Sequence, residues 1–314
     1  MLDKRLSIVV PLFNESQALG PLCEELAHLR GQLAAQGLGT EFVMIDNAST
    51  DETWELLNLW LHEQEPGQAV AIRHPVNLGM QQSLLTGIKA ASGDAVLVLQ
   101  ADLQDPPSVA LLMVQQWTAG AKLVVGRIRR REGRIRERFG TWAFYILLRF
   151  LSGRHVIANS SDFYVIDRSL LPEVIMRSGT VPFIRTTLQG VRAPDAVIEY
   201  DRLARRSGKP GSMSWRIRFG VDALVQDLSA LCTRLGMLSA ALTLVAFLGL
   251  VGLILAYVLG YRSPVAGWLT FTLLLLVLIA FTSAFAAVVL LLLNRIYRDL
   301  PRTEWSRDSV VLRS

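Results

Sequence analysis

The chain has 314 residues, 51% of them hydrophobic and 19% charged, with a mean hydropathy of +0.36. That composition excludes a disordered or fibrous protein and is too apolar for an ordinary soluble enzyme, so part of the chain is expected in lipid. The net charge of +5 comes from 32 basic and 27 acidic residues, with only four lysines among the bases, and fits anionic partners such as phosphates or acidic lipid headgroups.

The amino terminus, MLDKRLSIVVPLFNES, holds a short apolar stretch interrupted by Pro11 and Asn14. It reads as a strand ending in a turn, not as a signal peptide. From residue 6 to residue 126, apolar runs alternate with helical patterns: LSIVV then Ser16 to Ala35, EFVMI then Asp51 to His62, AVAI then Gly79 to Ala91, AVLVL then Pro107 to Trp117, and finally KLVV. Strands this apolar with helices between them predict a mostly parallel sheet buried on both faces, the doubly wound nucleotide-binding α/β architecture. Ligands of such sheets bind at the carboxyl ends of strands, which gathers Asn14 and Glu15, Asp46 and Asn47, and Asp102 and Gln104 toward one crevice.

Several of these polar residues also have a plain structural reading. Ser49, Thr50 and Asp51 can cap the helix that starts there. Asp105, before Pro106 and Pro107, reads as a turn and helix start. Asp102 differs, because a carboxylate at the exit of the apolar strand AVLVLQ needs a counter-ion. With Gln104 two residues on, its hard oxygen donors suit Mg²⁺ or Mn²⁺ bound together with a diphosphate. Cys23 and Cys232 show neither zinc-ligand spacing nor a disulfide framework, which fits a reducing compartment for the soluble part.

Between Arg127 and Arg138 the chain reads RIRRREGRIRER, seven arginines in twelve positions, followed by FGTWAFYILL, too short to span a bilayer. This describes a helix lying in the headgroup layer. Arg127, Arg131, Arg138 and Arg149 are candidates for holding acceptor or donor phosphates bidentately, the alternative being a solvated or headgroup-facing surface. Trp215 to Arg234 reads as a second interfacial helix. Arg205, Arg206 and Lys209 precede it, on a basic segment able to close over a diphosphate or serving as a plain surface loop. The bases border apolar segments and no nucleic-acid motif accompanies them, so nucleic acid is not an expected partner.

Leu235 to Leu259 and Ser263 to Leu293 contain no charged residue. Each run exceeds the roughly 20 residues that cross a hydrocarbon core about 30 Å thick. The linker from Gly260 to Ser263 is so short that the runs form a hairpin with both ends on one side. Arg216, Arg218 and Arg234 before it and Arg295, Arg298 and Arg302 after it outweigh the lone Arg262 in the turn. The excess of bases predicts a multi-pass protein of the inner (plasma) membrane with residues 1–234 facing the cytoplasm. The expected organisation is a nucleotide-binding core (1–134), an acceptor-side segment with interfacial amphipathic helices (135–234), two transmembrane helices (235–293) and a cytoplasmic tail (294–314).

In order along one α/β domain, PLFNES, IDNASTDET, NLGMQQSLLTGIKAASGD and ADLQDPP resemble the family 2 glycosyltransferases of GT-A fold, and most closely their polyisoprenyl-phosphate glycosyltransferases. NSSDFYVIDRSLL is similar to a downstream GDFRLMDR-type segment of that family, and RIYRDLPRTEW to its tail. The resemblance implies an inverting transferase that moves a sugar from a nucleotide-sugar, preferentially UDP-linked, to undecaprenyl or another polyisoprenyl phosphate for cell-envelope glycan modification. It also implies Mg²⁺ or Mn²⁺ as cofactor, membrane lipids as surroundings and a homo-tetrameric assembly. Pro11, Phe13, Asn14 and Glu15 would lie beside the nucleotide, Asp46 and Asn47 at the base and ribose, and Gln100, Ala101 and Asp102 along the donor. Asp102 and Gln104 fall on the family's metal and diphosphate positions.

Three departures stand out. Gln100 replaces the first Asp of the family's DxD segment, Asn47 replaces the second of a paired Asp, and GKPGSMSW displaces Lys209 from a Gly-x-Ser-Lys-aromatic pattern. The first two each remove a negative charge near the diphosphate, which leaves a catalytically silent membrane-anchored scaffold as the alternative. A phosphate acceptor is already ionised at neutral pH, its second pKa being about 6, so no strong general base is required. Asp162 is the candidate to orient the acceptor or take a residual proton, or else a turn or salt-bridge carboxylate.

Overall fold

The computed structural model describes residues 4–129, 160–178, 182–203, 228–260, 268–299 and 309–314. They fall into two compact units, an α/β domain and a helical unit. In the α/β domain the order is β1 (Lys4–Leu12), α1 (Ser16–Ala34), β2 (Leu38–Asp46), α2 (Thr53–His62), β3 (Ala69–Arg73), α3 (Met80–Ala90), β4 (Ala95–Val98), α4 (Pro107–Thr118) and β5 (Leu123–Ile128). There follow β6 (Ser160–Asp167), a 3₁₀ turn (Arg168–Leu170), α5 (Leu171–Arg177), α6 (Ile184–Val191), β7 (Ala196–Tyr200) and, at the far end of the chain, β8 (Val310–Arg313).

Each strand divides its side chains between two cores, because successive residues point to opposite faces. Leu6, Ile8, Val10 and Leu12 of β1 join Phe42 and Met44 of β2 in a core closed by Leu22, Leu26 and Leu29 of α1, Leu57 of α2 and Met113 of α4. Val9, Val43, Ile45 and Val98 face the other way, onto Leu84, Leu85 and Ile88 of α3, Val174 of α5 and Ile184 of α6. The sheet is thus sandwiched between two helical layers, which is why its strands read as continuous apolar runs and not as alternating patterns.

The sheet order is β7-β5-β6-β4-β1-β2-β3-β8. Strands β1 to β4 pair in parallel and β5 pairs in parallel with β7, whereas β6 and β8 run antiparallel to their neighbours. The sheet therefore does not end near residue 134 as the expected domain division has it. β6 inserts between β4 and β5, and β7 extends the β5 edge. The far end of the chain likewise returns to the sheet: β8 pairs with β3, and Leu312 packs on the α1 side of the core.

Two features open a crevice at one end of this sheet. The strand order reverses at β1, with β2 on one side and β4 on the other. Pairing of β1 with β2 continues to Leu12 and Asp46, but pairing with β4 stops at Val9 and Val98, just before Pro11, which has no N–H to offer. Such a topological switch point is where ligands of open α/β sheets bind.

The helical unit holds α7 (Leu228–Val258) and α8 (Trp268–Asp299), which pack on each other. Thr243 and Ser283 share a hydroxyl–hydroxyl hydrogen bond of 2.7 Å across the pair, and Ser239 donates to the backbone carbonyl of Ser283. By length and composition, the 27-residue Cys232–Val258 is apolar enough to cross a membrane, with a mean hydropathy of 2.5 in its 18-residue apolar window. The apolar stretch of α8 among the described residues, Leu274–Leu290, is shorter than the expected second span. The interfacial stretches expected after Arg129 and from Trp215 to Asp227 lie outside the described residues, as do the turn at 261–267 and residues 300–308.

Candidate active site

The crevice is lined by loops, and each needs a backbone conformation that ordinary residues avoid. Asn14 after β1, Ala48 after β2 and Leu103 after β4 have φ of 55°, 59° and 52°; among the described residues they are the only non-glycine residues in the left-handed region. Asn tolerates that region and Ala and Leu do not, so the strain collects where three strands deliver their loops.

The first two loops are tied together. Asn14 Oδ1 accepts from Thr50 N at 2.8 Å, while the backbone N–H groups of Asn14 and Glu15 donate to Ser49 Oγ (2.9 Å) and Thr53 Oγ1 (2.8 Å). Asp51 accepts from Ser16 N and from Thr53 N, so it joins the starts of α1 and α2 and does more than cap one helix. Burial acts to raise its pKa, but these hydrogen bonds outweigh it and hold the carboxyl below its ordinary range.

Asp46 is fully buried, with its carboxylate 3.2 Å from Arg73 Nε, and Arg73 lies over the Trp54 ring. Asn47 is buried too. It donates to Asn77 Oδ1 (2.9 Å), accepts from Leu78 N (2.9 Å) and meets His74 Nδ1 at 3.3 Å. Both side chains brace the loops from beneath, whereas Phe13 and Asn14 are exposed at the lip and Pro11 is half-buried.

The β4–α4 loop carries Gln100, Ala101, Asp102, Gln104 and Asp105. Asp102 Oδ1 accepts from Gln104 N at 3.2 Å, a local turn that sets both side chains on one short bend. Asp105 is fully buried. Tyr200 donates to its Oδ1 at 2.5 Å, and Arg202 Nε lies 3.3 Å from the same atom. Burial, reinforced by the nearby charges of Asp102 and Asp162, pushes the Asp105 pKa up against the pull of Arg202 and Tyr200. The Tyr200 phenol is pushed up as well, by burial first and then by Asp105, so it stays protonated and donates. Ser161, 2.8 Å from the Tyr200 oxygen, then completes a chain from Ser161 through Tyr200 to Asp105.

Asp162 reaches the same end by an unusual route. β6 runs antiparallel to β4, so its beginning lies where β4 ends; extending the register that pairs Val98 with Tyr164 sets Asp162 level with Gln100. The carboxylate is buried and ion-paired with buried Arg185 at 3.1 Å, accepts from Gln81 Nε2 at 3.3 Å, and accepts a short hydrogen bond from Tyr164. Burial first, then the Asp162 charge, raises the Tyr164 pKa well above its usual value and keeps that phenol a donor. Gln81 also accepts from Ile184 N at 2.8 Å, which locks α3 to α6 behind the site.

Of the arginines and lysine expected at phosphates, Arg127 is the one within the described residues, and its guanidinium is paired with Glu199 on the β5–β7 edge. Arg131, Arg138, Arg149, Arg205, Arg206 and Lys209 lie outside them. Sequence reasoning missed Arg185, Arg202, Tyr200, Gln81 and His74. Asp201–Arg202 directly after an apolar strand was the one legible signal. A buried arginine in the short helix IRTTLQGV gave none.

Among the described residues no cluster of three or more carboxylates, histidines or cysteines could by itself enclose a metal. One carboxylate and a neighbouring amide oxygen, Asp102 and Gln104, nonetheless fit Mg²⁺ or Mn²⁺. Such ions commonly take one or two protein carboxylates and complete their shell with substrate phosphates and water.

Residues 7–187 match the glycosyl transferase family 2. The chain belongs to that family. This glycosyltransferase is 28% identical over 215 residues to the prophage bactoprenol glucosyl transferase homolog of Escherichia coli K12, covering 68% of each chain. It shows the same identity and coverage with the bactoprenol glucosyl transferase of Shigella phage SfV. Its α/β domain shares the GT-A-like fold of glucosyl-3-phosphoglycerate synthase from Mycobacterium tuberculosis, solved with Mn²⁺, UDP and phosphoglyceric acid. The TM-score is 0.52 at 22% identity, over 73% of this chain and 79% of that one.

Proposed function

We propose that this glycosyltransferase moves one sugar, with inversion, from a UDP-linked donor to a polyisoprenyl phosphate such as undecaprenyl phosphate, at the cytoplasmic face of the inner membrane and for a cell-envelope glycan. The observation that carries the reading is the meeting of the Asp102 loop and Asp162 at one crevice, in a chain that also has a 27-residue apolar helix. The names of the bactoprenol relatives support the acceptor.

In this reading the nucleotide lies across the β1 and β2 loops, against Pro11, Phe13, Asn14 and Glu15 and over the braced Asp46 and Asn47. Asp102 and Gln104 hold the divalent cation with the diphosphate. When bound, that cation supplies Lewis-acid stabilisation of the charge on the leaving nucleoside diphosphate. An ionised acceptor oxygen attacks the anomeric carbon from the face opposite the diphosphate, forming the new C–O bond as the old one breaks and its electron pair leaves on UDP. Asp162 acts through its neighbours: its oxygens receive Arg185, Gln81 and Tyr164, so it fixes the Arg185 guanidinium beside the acceptor phosphate.

The test is transfer from radiolabelled UDP- and GDP-sugars to undecaprenyl phosphate in detergent, with Mg²⁺, Mn²⁺ or EDTA. One donor should give metal-dependent product, and Asp102→Ala should lower the rate by at least about 100-fold, the scale for losing a preorganised electrostatic stabiliser. Equal rates in the variant and with EDTA would sink this assignment.

A further inference from the structure

Gln100 stands at the position where the family's DxD segment begins, and the structure gives it a specific partner. Arg202, on the exit of β7, donates from its terminal nitrogen to Gln100 Oε1 at 3.0 Å. The same guanidinium is held by the buried carboxylate of Asp105 through Nε, and the next residue, Leu203, is bound to Gln104 by two hydrogen bonds, N to O at 2.9 Å and O to Nε2 at 3.2 Å. The clasp therefore joins the diphosphate loop to the β7 exit at three residues.

The orientation of a glutamine amide usually rests on choosing between oxygen and nitrogen, but here the partner decides it. A guanidinium only donates, so the atom facing Arg202 must be the amide oxygen. That oxygen is committed, and the –NH₂ of the half-buried Gln100 makes no hydrogen bond among the described residues. A carboxylate at this place would offer an oxygen to a cation; this amide offers hydrogen-bond donors to an anion.

We propose that Arg202 is a positioning residue that turns Gln100 into a hydrogen-bond donor to an oxygen of the nucleotide-sugar, so that position 100 is not a metal ligand. The proposal rests on the reading above that the donor diphosphate occupies this crevice. It accounts for the missing negative charge as an exchange of roles, from holding cation to holding donor.

The decisive variant is Gln100→Glu in the full-length protein in detergent. It keeps an oxygen for Arg202 and replaces only the –NH₂ by a second oxygen. UDP and UDP-glucose binding are measured by calorimetry with EDTA and with Mn²⁺. The expected result is metal-free UDP affinity weakened by about tenfold or more, the scale of a hydrogen bond to a charged group. Weakening confined to UDP-glucose would assign the contact to the sugar and also support the proposal. Unchanged metal-free affinity would overturn it.

Arg202→Lys, which still only donates, should keep UDP affinity within about threefold. Arg202→Gln, which can also accept and so frees the amide to turn, should lose affinity even when both variants unfold at the same temperature. Equal affinity in those two variants would reduce Arg202 to a structural clasp and overturn the positioning role. A wild type that binds neither UDP nor GDP would instead remove the donor reading itself.

Discussion

At the residue scale, the support under the site is as informative as its lip. His74 is buried between Asn47 Oδ1 at 3.3 Å and Thr86 Oγ1 at 3.1 Å, directly beneath the β2 and β3 loops. Burial lowers its pKa below the ordinary 6.5, with Asp46 pulling the other way. The folded state thus favours the neutral ring. The stability this confers is complete above the unfolded pKa of about 6.5 and declines as pH falls below it toward the folded value. Unfolding midpoints measured from pH 5 to 8 should drop on the acid side in the wild type, and the drop should flatten in His74→Gln. An identical acid slope in both would place the sensitivity elsewhere. Asp102, Gln104 and Asn14 were legible in sequence because they follow apolar strands directly. His74 and Arg185 were not, since a buried polar residue is recognisable only once its partners, distant in sequence, are known.

At the element scale, the alternation of apolar runs with helical patterns announced β1 to β5 and α1 to α4 close to their observed bounds. β6 escaped because its orientation, and not its composition, gives it importance: only a strand antiparallel to β4 brings a residue from its beginning to the crevice. The rule that ligands sit at strand ends carries no information about such a strand. The opposite end of the sheet is a separate structural lock. Glu41 accepts from Ser7 Oγ (2.5 Å) and from Ser92 N and Oγ (both 2.9 Å), and Gly93 N donates to Ser7 Oγ (2.8 Å). A Cβ on Gly93 would come 2.7 Å from Arg5 O and 2.8 Å from Ser7 N, both backbone atoms that cannot turn aside. Gly93→Ala should therefore cost about 1–3 kcal/mol of stability in denaturant unfolding, in the range for overpacking. Transfer per folded molecule should stay unchanged, because the residue lies at the far end of the sheet from Asp102.

At the scale of the whole molecule, the sheet constrains the path of the chain. Strands β1 to β7 precede α7, and β8, in the same sheet, follows α8. We propose that, if Cys232–Val258 crosses a membrane, α8 supplies the second crossing needed for β8 to join the same sheet as β1 to β7. Arg262→Cys and the exposed Glu65→Cys, each in a chain with Cys23 and Cys232 replaced by serine, provide the test. In sealed vesicles an impermeant maleimide should reach them from opposite sides; labelling of both from one side would rule the hairpin out.

The closing pair has a further consequence for how the protein is made. Val310–Arg313 is hydrogen-bonded along β3, and Ser314 N donates to Ala69 O at 3.1 Å, so the edge of an N-terminal strand waits for residues translated some 240 positions later. By then both long helices have already emerged from the ribosome. The β3 edge of the sheet is thus completed only after α7 and α8 have been synthesised.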